Sequence, residues 1–399
     1  MRDRFHRDAV PPFAKGGRGD FSGASIGDTP PNPAQPPLSP NGGFCKGVSR
    51  ATRREFLLGL VALLGAPSVA RAAAQIGEEI RLAATWQAGA GNRVGLLTLA
   101  GDNLRIATEL ELPTRAHGLL REPAGTLLTV ARRPGDWLLR WDEQGRALAW
   151  RWVEPGRAFA GHLLASPDGA TVYTTEIDLE TGAGLIGVRD GNTLAKLAEW
   201  PTRGLDPHEL LWDPTRPGNL IVANGGVPTR PETGRVRHDL DRMDSSLARL
   251  DAATGRIVDQ WRLDDPRLSL RHLAWNGDRL GIALQAEHAE PSRRDGAPVL
   301  ALLDNDVLRV VASPGLRGYG GSIAAHDDGF AVSCPRAQGV ALYDAHGYRD
   351  FIALQEACAL TGHANRLWAG GRTQALGNGG APLIAGLPDI RLDNHWVAL

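Results

Sequence analysis

Four phrases decide the fold, and each places a histidine before a short apolar run that ends in turn-forming residues. They are RAHGLLREPAG (115–125), AGHLLASPDG (160–169), PHELLWDPTRPG (207–218) and RHLAWNGD (271–278). Two later phrases continue the series with other residues at the histidine position, GYGGSIAAHDDG (318–329) and ACALTGHAN (357–365). Successive phrases lie 45, 46, 64, 50 and about 37 residues apart, and these spacings are typical of β-propeller blades.

The remaining sequence of each repeat reads as short strands bounded by Gly, Asp, Pro or Asn, and helical periodicity is missing. One earlier repeat is expected at 79–110. We therefore predict an all-β chain with a seven-bladed β-propeller of the YVTN/quinoprotein-dehydrogenase-like type over residues 75–399. The 64-residue spacing predicts a long loop at 225–246, between the second and third strands of blade 4.

The segment PHELLW resembles the HExxH motif of helix-borne zinc hydrolases. Trp212 stands where that motif needs its second histidine. Its repeat position makes His208 the start of a strand, as in the other phrases. The helix-borne zinc site is therefore excluded.

The amino-terminal region differs from the repeats. Residues 1–47 are rich in Pro and Gly, which predicts a disordered extension or a miscalled translation start. Residues 48–74 contain Arg53 and Arg54, then an apolar run at 56–66 and small residues, an order typical of a twin-arginine signal peptide. We expect export to the periplasm by the twin-arginine route.

Charge and cysteine content restrict the partners. The chain has 44 Lys and Arg and 45 Asp and Glu, and removal of residues 1–74 would leave 34 and 40, a net charge of −6. No basic field remains, so nucleic acid is not an expected partner. No membrane span is expected in the mature chain, and its length is sufficient for a monomer to fold. Cys334 and Cys358 form either one disulfide or two free thiols.

In a propeller, the starts of the innermost strands and the ends of the second strands meet at one face of the channel. The strand starts would present Arg115, His117, His162, His208, Glu209, Arg271, His272, Tyr319 and Ser322. The second-strand ends would add Arg132, Glu176, Asp178, Asn224, Glu287 and Arg336, and the loop of blade 4 would add Arg230, Arg235 and His238. Such a rim could bind anions through arginine or a transition metal through imidazole.

His117, His162, His208 and His272 are the candidate metal ligands on this rim, with a transition metal as the possible cofactor. For any single one of these histidines a structural role is the alternative, since a Gly-His at this position in WD-repeat propellers forms hydrogen bonds within its own blade. Four at equivalent positions favour a shared site.

Longer motifs resemble one family. They are SPDGATVYTTEIDLETGAGLIGVRD, PHELLWDP, ANGGVPTRPETGR, MDSSLARLDAATGRI, LSLRHLAW and GGSIA. Together they are similar to the domain of unknown function 1513 family, over about residues 80–375. The resemblance implies an exported propeller of Gram-negative bacteria without a characterised activity. Genes of this family often lie near those of imelysin-like iron-uptake proteins and di-haem cytochromes, which implies iron or redox handling.

The chain departs from the family pattern at several positions. Arg203 and Arg230 stand where histidines are usual, Leu163 replaces a glycine, and Ala158 replaces a histidine. Loss of histidine in favour of arginine implies anionic partners.

Two functional hypotheses follow. The first is a periplasmic binding module for a metal complex, a small anionic ligand or a partner protein of iron uptake or redox chemistry. The second is a metal-dependent enzyme, either a lactonase-like hydrolase or an oxidoreductase. No GxSxG, Walker or CxxCH motif is present, so binding is favoured.

Overall fold

The computed structural model describes residues 79–100, 103–228, 239–363, 366–377, 385–387 and 389–399. The predicted extension, the signal peptide and its Arg53 and Arg54 lie outside these residues. The described chain forms seven four-stranded antiparallel sheets, which confirms the predicted β-propeller. Two short helical segments, η1 (Leu240–Arg242) and α1 (Pro291–Asp295), interrupt the strands. No described helix has the length and apolarity needed to cross a bilayer.

The strands follow one another blade by blade. Blade 1 begins with β1 (Ile80–Ala88), β2 (Gly91–Ala100) and β3 (Asn103–Leu112), and blade 2 contains β4 (Ala116–Arg121), β5 (Leu127–Ala131), β6 (Trp137–Trp141) and β7 (Ala147–Trp152). Blade 3 contains β8 (Arg157–Ala165), β9 (Thr171–Asp178), β10 (Ala183–Asp190) and β11 (Lys196–Leu205), and blade 4 contains β12 (Pro207–Trp212), β13 (Asn219–Asn224), β14 (Ser246–Asp251) and β15 (Ile257–Trp261).

The remaining blades have the same order. Blade 5 contains β16 (Leu268–Asn276), β17 (Arg279–Ala286), β18 (Leu300–Asp304) and β19 (Val307–Val311), and blade 6 contains β20 (Ser322–His326), β21 (Gly329–Cys334), β22 (Gly339–Asp344) and β23 (Gly347–Ala353). Blade 7 contains β24 (Ala359–His363), β25 (Arg366–Gly370), β26 (Gln374–Gly377) and β27 (Ala385–Gly386), and the chain then returns to blade 1 as β28 (Ile390–Ala398).

The last strand closes the ring. β28 pairs with β1, so the innermost strand of blade 1 comes from the carboxyl-terminal end of the propeller. The segment at 79–110, predicted to supply a whole blade, supplies only its three outer strands. The first strands of neighbouring blades contact one another in an unbroken circle, β4, β8, β12, β16, β20, β24 and β28. They therefore surround the common axis.

The pairing of the inner strand is interrupted in five blades. In β4, the pair Ala116 and Ala131 is followed by Leu119 and Thr129, which leaves one extra residue on the inner strand. One extra residue also lies at 207–210 in β12 and at 270–273 in β16. Two extra residues lie at 159–163 in β8 and at 392–396 in β28. Strands β20 and β24 pair with their neighbours without a bulge. A bulge changes the direction of the side chains around it. The side chains near the axis are therefore expected to be oriented differently in these five strands than in β20 and β24.

Tryptophans pack between the blades. Trp86, Trp368 and Trp396 join the cores of blades 7 and 1, and Trp137 and Trp141 join those of blades 1 and 2. The indole N–H of Trp137 donates to Thr114 Oγ1 at 2.7 Å, so this buried polar group is satisfied. The predicted long loop does lie between β13 and β14 of blade 4, and its residues 229–238 are outside the described chain.

Candidate metal centre

Five imidazole rings meet at the propeller axis. They belong to His117, His162, His208, His272 and His395, one from each bulged inner strand. Neighbouring ring centroids are 4.5–4.8 Å apart around a closed circle of five contacts. The rings contact one another across neighbouring blades.

The ring nitrogens are close enough to share an ion. One nitrogen from each of His117, His162, His272 and His395 lies within 4.8 Å of the others. In a tetrahedral site with bonds of about 2.0–2.1 Å, the ligand nitrogens are about 3.4 Å apart, so inward ring movements of up to about 1 Å would bring the four onto one ion. The fifth ring joins them, because His208 Nε2 is 3.2 Å from His272 Nε2.

Each of these five histidines keeps one buried ring nitrogen without a hydrogen-bond partner among the described residues. The atoms are Nδ1 of His117, His208 and His272 and Nε2 of His162 and His395. Leaving a buried polar atom unsatisfied costs about 1–3 kcal/mol. A metal ion would satisfy those of these nitrogens that bind it, so the donor set fits such an ion. His272 Nδ1 is 3.4 Å from Glu209, which leaves Nε2 as the ligand atom of that ring.

Burial keeps these imidazoles neutral. It lowers the pKa of His117, His162, His208 and His395 well below the ordinary value, and it lowers the pKa of His272 to about 3. Neighbouring histidines and arginines lower these pKa values further by charge repulsion. The neutral imidazole is the form that binds metals.

Glu209 is the carboxylate of the centre. Its Oε2 accepts a hydrogen bond from the backbone N–H of Leu273 at 2.7 Å. Its oxygens lie 3.7 Å from His162 Nδ1 and 3.4 Å from His272 Nδ1. Burial raises the pKa of Glu209. A carboxylate beside ligand imidazoles fixes their orientation, so Glu209 is placed to orient two of the five rings.

A glycine permits the close approach of two blades. Gly161 has φ +112°, and a Cβ there would lie 2.8 Å from Cδ2 of His117. A side chain at this position would therefore displace the neighbouring imidazole. Glycine at 161 adopts this backbone without strain.

An arginine-lined cleft of about 810 Å³ includes residues that are close in sequence to two of the axial histidines, His117 and His395. Its charged lining comprises seven arginines, Arg115, Arg132, Arg294, Arg317, Arg336, Arg372 and Arg391, and three acids, Asp295, Glu356 and Asp393. The same two inner strands serve both sites, because Arg115 is two residues from His117 and Asp393 is two residues from His395. The Arg336 guanidinium stacks on Tyr319, with 4.5 Å to the ring centroid.

Most of the predicted rim residues lie either at the histidine centre or in the arginine-lined cleft. His117, His162, His208, Glu209 and His272 come together at the axis, and the cleft contains Arg115, Arg132, Tyr319 and Arg336. Arg271 is buried beside the axis and pairs with Asp206 at 2.7 Å. Ser322 is buried at the start of β20. Arg230, Arg235 and His238 lie outside the described residues.

Three other predicted residues do not reach the axis. Glu176 is fully buried in blade 3, where it pairs with Arg189 at 2.8 Å and Lys196 at 2.6 Å. Asp178 accepts backbone hydrogen bonds within its own turn. Asn224 donates to the Thr202 carbonyl and to Ser246 Oγ. In the register of β9 and β10, Glu176 pairs with Leu185 and Arg189 with Val172. The Arg189 side chain therefore reaches Glu176 along the strand, beside Gly187, whose missing side chain leaves room for the carboxylate.

The structure also places Glu287, Arg203 and the two cysteines named in the sequence analysis. Glu287 is buried near Arg271, whose pKa burial lowers. Arg203 is exposed and its carbonyl accepts a hydrogen bond from Gln260. Cys334 and Cys358 are free thiols, so of the two alternatives for this pair the structure has the unbonded one.

His395 is the axial histidine that the repeat spacing did not predict. The comparison aligned phrases that open a blade, and the inner strand of blade 1 lies after blade 7. A signal was present, because DNHWVAL (393–399) places a histidine before apolar residues, 36 positions after Ala359.

Seven blades around a common axis, closed by a carboxyl-terminal strand, define a β-propeller with a histidine-lined centre. The chain belongs to the family described as Protein of unknown function (DUF1513), whose model matches residues 110–399. The family predicted from the sequence motifs is thereby confirmed.

Solved structures of other propellers are similar in fold. Hydrazine synthase of Kuenenia stuttgartiensis is 13% identical with a TM-score of 0.55, over 71% of this chain and 90% of that one. A catalytically inactive histidine-to-alanine variant of virginiamycin B lyase from Staphylococcus aureus, with quinupristin, is 12% identical with a TM-score of 0.51, over 69% and 84%. At these identities the likeness concerns the fold alone. No curated protein sequence matches the chain.

Proposed function

We propose that the protein is an exported periplasmic binding module that holds a transition-metal ion at the propeller axis. The observation that carries this proposal is the set of four imidazole nitrogens within 4.8 Å of one another, with a fifth ring in contact. Core packing does not account for it, because apolar side chains would fill the same space without unsatisfied nitrogens.

The donor chemistry supports a particular group of metals. Neutral imidazole suits zinc, copper, iron and nickel, whereas calcium and magnesium prefer oxygen ligands. His117, His162, His272 and His395 would hold the ion. His208 would complete the set or support His272, and Glu209 would orient His162 and His272.

Export and a role in iron uptake are parts of the same proposal. The pair Arg53 and Arg54 before an apolar run supports export by the twin-arginine route. The link to iron is supported by the resemblance to a family whose genes lie near those of iron-uptake proteins. Fractionation of cells that express an Arg53→Lys, Arg54→Lys variant tests the export route, because this variant is expected to remain in the cytoplasm. Periplasmic recovery of the variant would reject that route.

Metal content tests the proposed centre. Protein purified from the periplasm is analysed by inductively coupled plasma mass spectrometry, beside His272→Ala, His395→Ala and the control His346→Ala. His346 lies in an exposed turn outside the centre. We expect about one ion per chain in the wild type and the control, and loss of most of it in the two centre variants.

Two outcomes would reject the metal centre. One is wild-type protein that contains no ion and takes up none of iron, copper, zinc or nickel on dialysis. The other is an ion retained equally by all variants. Near-ultraviolet circular dichroism shows whether His272→Ala and His395→Ala keep the tertiary fold, so that loss of metal is separated from unfolding.

The second candidate function is a metal-dependent enzyme, and the open cleft beside the histidines favours it. Catalytic metal sites keep an open coordination position, whereas structural sites are closed. The similar virginiamycin B lyase propeller is inactive when one histidine is replaced by alanine. Cobalt-substituted protein tests this candidate, because azide changes the visible spectrum of an ion with an exchangeable position. An unchanged spectrum would reject the enzyme.

A further inference from the structure

The cleft beside the metal centre has the charge of an anion-binding site. Seven arginines face three carboxylates in its described lining. The three carboxylates are already engaged, since Asp393 pairs with Arg115, Glu356 with Arg372 at 2.7 Å and Asp295 with Arg294 at 3.3 Å. By count, the lining has four more arginines than carboxylates, in a chain whose net charge is −1. Concave clefts of one sign concentrate ligands of the opposite sign.

The size of the cleft points to an organic ligand. Its volume of about 810 Å³ lies within the range of about 300–1,000 Å³ typical of small-molecule sites. A single inorganic oxyanion would contact only part of the arginines. A flexible molecule with several carboxylates can meet several of them, because each guanidinium binds a carboxylate through two parallel hydrogen bonds.

The inner strands connect the cleft to the metal centre. Two residues of an extended chain span at most about 7 Å, and this limits the distance from Arg115 to His117 and from Asp393 to His395. Asn394, which lines the cleft, directly precedes His395. Neutral imidazoles also leave the charge of a bound ion uncompensated, so an anionic ligand next to the ion is favoured.

We infer that the cleft binds a small organic polycarboxylate, and that the metal-loaded protein uses one carboxylate of this ligand as a further ligand to the ion. The first part stands on the cleft alone. The second part rests on the proposed metal centre. The bound species would be a metal chelate whose remaining carboxylates contact the arginines, above all Arg317 and Arg391 at its exposed side.

Calorimetric titration with citrate tests the first part on metal-free protein. We expect a dissociation constant below about 1 mM. It should be weakened at least about tenfold in an Arg317→Gln, Arg391→Gln double variant, since each lost guanidinium removes charge-assisted hydrogen bonds to a carboxylate. The matched control Arg349→Gln removes an exposed arginine on β23 that pairs with Asp327, away from the cleft, and should leave binding unchanged. High salt should weaken binding.

The outcomes are distinct. Absence of citrate binding, or binding that the double variant retains, overturns the cleft assignment. Inorganic phosphate bound as tightly as citrate overturns the polycarboxylate in favour of a simple oxyanion site. Citrate bound at least about tenfold more tightly after metal loading supports the ligand to the ion, and equal affinity overturns that part alone. Metal content, measured separately, shows whether the proposed centre itself has failed.

Discussion

The metal-free protein should lose stability in mild acid, and the size of the loss follows from the five axial histidines. Their pKa values are lowered in the folded protein, to about 3 for His272 and well below the ordinary value for the others. In the unfolded chain each titrates near pH 6.5. The unfolded state therefore binds more protons as the pH falls through 6.5, and the free energy of unfolding decreases.

The magnitude is large compared with the stability of a protein. Between pH 7.5 and 5.5 each histidine that stays neutral in the folded state costs about 1.4 kcal/mol, so five cost about 7 kcal/mol. The raised pKa of Glu209 acts in the opposite sense, which makes this figure an upper limit. Other carboxylates contribute little between pH 7.5 and 5.5. Those with a lowered pKa, such as Glu199 with a pKa of about 2, decrease the free energy of unfolding only at lower pH. Total stabilities are about 5–15 kcal/mol.

Urea unfolding at several pH values measures the effect. A decrease of about 7 kcal/mol corresponds to about 2 M in the urea midpoint at a slope of about 3 kcal/mol/M. A His208→Gln variant should show about one fifth less dependence on pH, and the His346→Ala control should behave as the wild type. A decrease smaller than about 1.5 kcal/mol in the wild type would refute the reasoning, since the imidazoles would then titrate normally in the folded state.

Three further predictions concern the same centre. Gly161→Ala should lower the free energy of unfolding by about 1–3 kcal/mol and weaken metal binding by displacing His117. The control Gly156→Ala is also at positive φ but has open space around its Cβ, so it should keep the metal affinity. Equal metal affinities of the two variants in a chelator competition would count against the displacement. Glu209→Gln should keep the urea midpoint at pH 7.5 near that of the wild type but weaken metal binding about 10–100-fold, and unchanged affinity would reject its orienting role. Deletion of residues 390–399 removes both β28 and His395. It should abolish the cooperative unfolding transition seen by near-ultraviolet circular dichroism. A transition that persists would show that blade 1 closes without this strand.

The sequence predicted the fold because each blade repeats an apolar phrase at a regular spacing, and four of the five axial histidines occupy the same position in that phrase. It could not show where the ring closes, since closure is a contact between the two ends of the propeller. His395 was missed for this reason. Nor could it show the bulges, which depend on the pairing register of two strands and occur in the inner strands that carry the axial histidines.

Glu176 illustrates the opposite error. Its position near the end of a second strand predicted exposure at the channel, but the strand continues and the carboxylate is neutralised by Arg189 and Lys196 inside blade 3. Alternation along a strand decides which face a side chain occupies, and a shift of one residue reverses it. The cleft was only partly predicted, because Arg317, Arg372 and Arg391 lie in loops or at strand edges without a shared motif.

Because β28 lies at the end of the propeller, its histidine is synthesised after the other four axial histidines. His272 and His395 are 123 residues apart in the sequence, which at about 5–20 residues per second of synthesis corresponds to about 6–25 s. During that interval a growing chain offers four of the five imidazoles on an open arc of blades, and the site is whole only when the ring is. Occupancy by an ion would thus mark chains that have been completed and closed, and incomplete products would be distinguished by their inability to retain it.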